Sequence, residues 1–269
     1  MDIIQHPGYQ EIREYCDLLR EKLLELILER DQLLTVIIPN IETQYQLQIG
    51  SLAFERFCLQ TEINKSKRII EIIQTAINRN EIVAPEDIEK RLASDFREWE
   101  ERLKDHLQAI ENARERDKSL LSIEESRKIS DLYRKLVKIL HPDVSPGIYS
   151  ENRKLWEQVQ EAYKNGDTGS METLWLIVQD IDSKPEKEVP AWEQLKDKER
   201  QLKKHVQEVK ADIAELTSGY PYDLKEKLAD DTWVEKEKEN LRREMTELSI
   251  QSSKFKILAE QMVRKHCHG

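Results

Sequence analysis

Only seven glycines and eight prolines interrupt these 269 residues. Proline lacks a backbone donor and clashes with the preceding turn, so it stops helix interiors. The long stretches between Pro7, Pro39, Pro85, Pro142, Pro146, Pro185, Pro190 and Pro221 are therefore free to be helix. Their apolar residues recur at spacings of three and four, the period of a helix that buries one side. Ile12, Tyr15, Leu19, Leu23, Leu26, Leu33 and Val36 form one stripe over 10–38, which Pro39 is expected to end. Tyr45, Ile49, Leu52, Leu59, Ile63, Ile70, Ile73 and Ile77 form a second over 42–79, in which Gly50 reads as a point of close helix–helix contact. A third starts at Pro85, a favourable first-turn residue, and runs to 117 through Ile88, Leu92, Phe96, Trp99, Leu103, Leu107 and Ile110. Short connections between long helices predict antiparallel neighbours. The fold class expected is all-α.

Composition narrows the function. Charged residues make up 36 % of the chain, too many for one compact ball and suited to long exposed helices. The net charge of -10 would repel a phosphate backbone, so no nucleic-acid partner is expected. No uncharged run approaches the roughly eighteen residues of a membrane span, and the N-terminus lacks the basic start and apolar core of a secretion signal. Cys16, Cys58 and Cys267 form neither a CxxC pair nor a disulfide framework, which points to a cytoplasmic protein. The glycines build no phosphate-cradling motif, so no cofactor is expected. His266-Cys267-His268 could attract a metal, but adjacent residues on a tail rarely close a tetrahedral site.

The C-terminal third follows a heptad. After a polar, proline-bearing linker at 182–190, apolar residues fall at Trp192, Leu195, Leu202, Val206, Val209, Ile213 and Leu216, with Glu199 as the one break. SGYPY at 218–222 is a turn. The heptad resumes at Val234, Leu241, Met245, Leu248, Phe255 and Met262. Two heptad helices joined by a turn predict an antiparallel coiled-coil hairpin. The rival is a parallel seam that joins two chains.

Residues 122–181 break the long-helix pattern. Ser122 followed by Glu125 is a capping box that opens a helix running to about Leu140. Its apolar stripe is Ile129, Leu132, Tyr133, Leu136 and Leu140; the opposite face carries Arg127, Lys128, Asp131, Arg134, Lys135 and Lys138. Five of those six are basic in an acidic chain. His141-Pro142-Asp143 follows directly, then the loop VSPGIYS. A second helix begins near Glu151 with Leu155, Trp156, Val159, Ala162 and Tyr163, and Asn165-Gly166 stops it. Proline fixes one dihedral of the tip, and His141 and Asp143 are expected to project from it.

This helix–loop–helix resembles the J-domain, the module of DnaJ-like co-chaperones. LYRKLVKILHPD looks like the family's second helix and HPD tip, and LWEQVQEAY looks like its third helix. The resemblance covers about 40 residues. It implies a hairpin that docks on a DnaK-type ATPase chaperone and accelerates its ATP hydrolysis, without being an enzyme itself. Carried over, the partner-binding residues are His141, Pro142, Asp143, Tyr133, Arg134, Lys135 and Lys138, the inward aromatic of the third helix is Trp156, and the family's alanine–tyrosine pair is Ala162 and Tyr163. The chain departs from the family in having Leu140 where an aromatic residue usually precedes the histidine. It has no first helix of the usual kind before Ser122, and the long helix ending near Asp117 is the candidate for that packing surface.

The organisation expected is an N-terminal arm of three long helices (1–121), the J-like hairpin (122–181), the linker (182–190) and the coiled-coil hairpin (191–269). The arms are candidates for binding a client or adaptor protein. The alternative function is a structural coiled-coil adaptor whose J-like hairpin does not stimulate a chaperone.

Overall fold

The computed structural model describes residues 8–118, 122–179 and 192–267. The linker at 182–190 lies outside them. Every regular element among the described residues is helical, so the protein is all-α. The helices are α1 (Tyr9–Gln32), α2 (Ile38–Tyr45), α3 (Ser51–Arg79), α4 (Pro85–Asp95), α5 (Arg97–Lys118), α6 (Ile123–Leu140), α7 (Pro146–Lys164), α8 (Thr168–Val178), α9 (Trp192–Thr217), α10 (Leu224–Leu228) and α11 (Asp231–His266). None is long and apolar enough to cross a membrane.

Pro39 does not end the first helix. α1, α2 and α3 are joined by two π-helical turns, Leu33–Ile37 and Gln46–Gly50, into one helical run of 71 residues. The first turn explains how. The Ile38 N–H reaches back five residues to the Leu33 carbonyl. That extra residue shifts the hydrogen-bond ladder just where Pro39 has no donor to give and a ring to accommodate. Gly50 closes the second turn. A side chain there would collide with the Gln46 side chain of the same helix, and the turn it closes also packs against α5 and α11.

The third expected helix is two helices. Phe96 leaves helical geometry at φ -108° and ψ 8°, dividing α4 from α5. Asn80, left-handed at φ 53°, ends α3 by donating its N–H to carbonyls of the last turn. Asparagine is among the few side-chain-bearing residues that tolerate this conformation.

The chain forms two compact units, and they interleave along the sequence rather than following one another. The first comprises residues 1–40 and 120–223, the second 41–119 and 224–269. This replaces the expected sequential division at 121, 181 and 190.

In the first unit α1 lies along α9, and α6, α7 and α8 pack together. Leu23 and Ile27 of α1, Leu136, Val137 and Leu140 of α6, Val159 of α7, and Met171 and Val178 of α8 are sealed from solvent in one core. Leu195, Leu202, Val206 and Val209 of the α9 heptad join it. Cys16 approaches the Leu195 carbonyl, and Arg30 reaches Asp212 at 3.8 Å. Both numbers rise together, so α1 and α9 run parallel.

In the second unit α3 lies along α11. Arg56 pairs with Glu244, and Ser252 donates to Glu62 at 3.2 Å, which again makes the pair parallel. Phe57 stacks on Trp99, their rings 5.4 Å apart. Cys267 is buried among Ile72, Ile73, Ala76, Val83 and Ile88; His268, the last residue of the metal candidate, lies outside the described residues.

The antiparallel coiled-coil hairpin of 191–269 is thus overturned. Each heptad helix takes a different partner, α1 for α9 and α3 for α11, and takes it in parallel. A heptad records that a helix needs an apolar partner along its length; it does not record which one. The helical run from Tyr9 to Arg79 offers two successive apolar stretches, and the two helices take one each.

Candidate docking site

The hairpin at 122–178 is built by local signals. Ser122 Oγ accepts the Glu125 N–H at 3.2 Å, and the Glu125 carboxylate accepts the Ser122 N–H at 2.9 Å. The Ser122 hydroxyl also donates to the Glu125 carboxylate at 2.7 Å, and this bond, with that from the Ser122 N–H, holds the Glu125 carboxyl below its ordinary range. α6 ends at His141, whose backbone is extended at φ -68° and ψ 135°, as a residue before proline prefers. The Val144 and Ser145 N–H groups both return to the His141 carbonyl at 3.1 and 2.8 Å, closing the tip. Pro146 opens α7, which kinks at Asn152 before its main run. Gly166, left-handed at φ 67°, stops it. Asp167 then caps α8 by accepting the Ser170 N–H at 2.9 Å.

The tip is not arranged as expected. His141 does not project; it is 4 % exposed, with its ring edge against Trp156 at 5.1 Å and 79°. Its Nδ1 accepts the backbone N–H of Asp143 at 3.1 Å. A nitrogen that accepts carries no proton, so the ring is the neutral Nε2–H form. Burial lowers the His141 pKa, and Arg30 acts the same way; the charges of Asp143 and Asp31 oppose them. Pro142 and Asp143 are partly exposed. The imidazole is therefore an internal strut that fixes the backbone under the Asp143 carboxylate.

Tyr133 also turns inward, at 3 % exposure, and is withdrawn from any partner. Its ring stacks on Tyr163 at 3.9 Å and on Trp156 at 6.0 Å. Its hydroxyl donates to the Asp31 carboxylate. Burial, then the Asp31 charge and hydrogen bond, push its pKa far up, so it stays a neutral donor. Asp31 itself is buried and also accepts from the Arg30 guanidinium at 3.1 and 3.0 Å.

The packing surface for α6 and α7 therefore comes from α1 and the π turn after it, together with α8. It does not come from the helix ending near Asp117, which belongs to the second unit. Asp31 was missed in the sequence because it is charged. Its position was the available signal: Leu23, Ile27 and Asp31 are spaced by four, and the first two are fully buried.

The basic residues are placed as the α6 periodicity predicts. Arg127, Lys128, Arg134, Lys135 and Lys138 are all exposed. α8 reaches two of them: Glu172 pairs with Lys128, and the Lys135 ammonium stands 5.4 Å above the Trp175 ring. No sequence signal singled out Glu172 or Trp175 for this. Among the described residues no three His, Cys, Asp or Glu side chains come together as a metal site. No family model, curated protein or solved structure matches this chain.

Proposed function

We propose that this protein is a J-domain-type co-chaperone that docks on a DnaK-type ATPase and stimulates its ATP hydrolysis. The observation that carries the reading is the built tip: Asp143 sits on a loop that the His141 ring and two backbone bonds hold in place, at the end of an exposed basic helix. A partly exposed carboxylate so fixed can accept charge-assisted hydrogen bonds from an arginine of the partner. The basic helix attracts an acidic surface and orients the encounter. Stimulation follows if the chain binds the hydrolysis-competent state of the ATPase better than the other states. The two helical seams are the candidates for holding a client or adaptor.

A structural coiled-coil adaptor is the second reading. The burial of Tyr133 and His141 favours it, because it removes two of the seven expected contact residues from reach. ATP turnover by a DnaK-type chaperone, with and without the chain, separates the two. Stimulation that disappears with Asp143→Asn supports the co-chaperone; unchanged turnover with the wild-type chain leaves the adaptor.

A further inference from the structure

We propose that the protein forms a two-fold dimer through the face of α11 that points away from α3, with the two copies of α11 lying antiparallel. Leu241, Ser252 and Ala259 are buried on the side that packs along α3. Ile250 and Ile257 follow Leu241 and Leu248 at a distance that is about 180° round a helix of about 100° per residue. They are 54 % and 55 % exposed. With Thr246 and Ser253 they form the middle of a stripe spaced by three and four. Glu239 and Arg243 continue it toward the start of α11, Glu260 and Arg264 toward its end, and all of these residues are exposed. The stripe is about 38 Å long at 1.5 Å per residue. It is a second heptad pattern on a helix whose first is occupied by α3.

The charges of the stripe select its occupant. In a two-fold antiparallel pair the same surface meets itself in reverse. With the axis between Gln251 and Ser252, Glu239 meets Arg264 of the second copy, and Arg243 meets Glu260 of the second copy. Ile250 and Ile257 then lie against Ser253 and Thr246 of the second copy. On the neighbouring edge Glu247 meets Lys254 of the second copy. The symmetry makes every one of these opposite-charge pairs twice. Such pairs set partner and orientation in coiled coils. Sliding one helix by a heptad puts Glu239 against Ile257 in one direction and Ile250 against Glu260 in the other. A parallel pair puts each charge against its own copy. Within one chain the charges are free: Glu239, Glu247, Lys254, Glu260 and Arg264 make no ion pair among the described residues, and Arg243 donates to the neutral Asn240 side chain at 3.0 Å. The apolar part of the interface is small, so the dimer is weak and its charges decide whether it forms.

The test is sedimentation velocity of the full chain over a concentration series at about 0.15 M salt. There the net charge of -10 on each copy is screened beyond about 8 Å, while pairs in contact persist. The wild type is expected to pass from monomer to dimer as concentration rises. Ile250→Glu with Ile257→Glu, which keeps good helix formers at both positions, should leave a monomer throughout. Arg264→Glu turns an attraction into a repulsion at both ends and should raise the dissociation constant roughly fivefold or more, the effect of exposed pairs of modest strength. Adding Glu239→Arg to it exchanges the charges and should bring the constant back to within about twofold of wild type, closing a double-mutant cycle. Circular dichroism melts check that each variant keeps its fold. A dimer that survives the paired glutamates uses another face. A wild type that stays monomeric leaves the stripe to solvent or to a different protein. A charge exchange that restores nothing means another register. Each of these results overturns the proposal, and none touches the co-chaperone reading, which rests on other residues.

Discussion

The Tyr133 hydroxyl donates a 2.6 Å hydrogen bond to the carboxylate of Asp31, 102 residues earlier in the chain. This bond ties α1 to the hairpin that carries the tip. Both groups are buried, so neither can turn to water if the other is lost. Hydrogen bonds to charged groups contribute about 1.5–3 kcal/mol. Tyr133→Phe is therefore expected to destabilise the protein by about 1–3 kcal/mol in urea unfolding, with Arg30 still serving Asp31. It should leave the rate of chaperone association unchanged. A slower association with unaltered stability would return Tyr133 to the partner surface.

His141 should tolerate one amide better than the other. The Nδ1 acceptor sits where the Asn side-chain oxygen would sit, and asparagine commonly accepts from a backbone N–H two residues on. Glutamine carries its oxygen one atom further out. His141→Asn should keep the Asp143 N–H slow in hydrogen exchange and retain part of the ATPase stimulation, losing the contact with Trp156. His141→Gln should lose both protection and stimulation. Fast exchange at Asp143 in the wild type would rule out the strut.

The same histidine sets a pH dependence. Burial holds its folded pKa below the ordinary 6.5. Between the two values the unfolded chain binds a proton that the folded chain does not, so stability rises with pH in that window. The contribution is complete above about 6.5 and is lost as pH falls toward the folded value. Melting temperatures from pH 8 to 5 should fall more steeply in wild type than in His141→Asn, which has no titrating ring. Parallel curves would mean that His141 is solvated in the folded state.

What could be read from the residues was what they decide locally. The capping box at Ser122, the stop at Gly166 and the outward turn of Arg134, Lys135 and Lys138 each depend on neighbours within a turn or two of helix. Pro39 was misread because the compensating π turn is a property of the backbone before it, with no side-chain signature. Tyr133 is buried as its place on the α6 apolar stripe requires, although the resemblance assigns it to the partner surface; the projection expected of His141 fails because its exposure depends on which distant helix covers α6. α1 does so through Asp31, a residue whose charge argues for the surface until a phenol and a guanidinium are placed beside it. The heptads at 192–216 and 234–262 correctly required partners, but the nearest one in sequence was not the one used.

That choice of partner has a testable consequence. Leu195, Leu202, Val206 and Val209 are buried in the core that α1 contributes to, while Val234 and Leu241 are buried on α11, which packs along α3. A fragment of residues 186–265 lacks both partner helices. Isolated helices in water are marginal, and most of their stability in proteins comes from packing an apolar face. The fragment should therefore show weak helical circular dichroism at low concentration, rising with concentration as the bare seams find one another. Addition of an 8–79 fragment should restore helicity at a fixed concentration. In the full chain, Leu202→Ala should cost about 2–5 kcal/mol, the range for removing a buried leucine side chain. A fully helical, monomeric 186–265 fragment would show that the two heptads satisfy each other, and the pairing of α9 with α1 and α11 with α3 would fall.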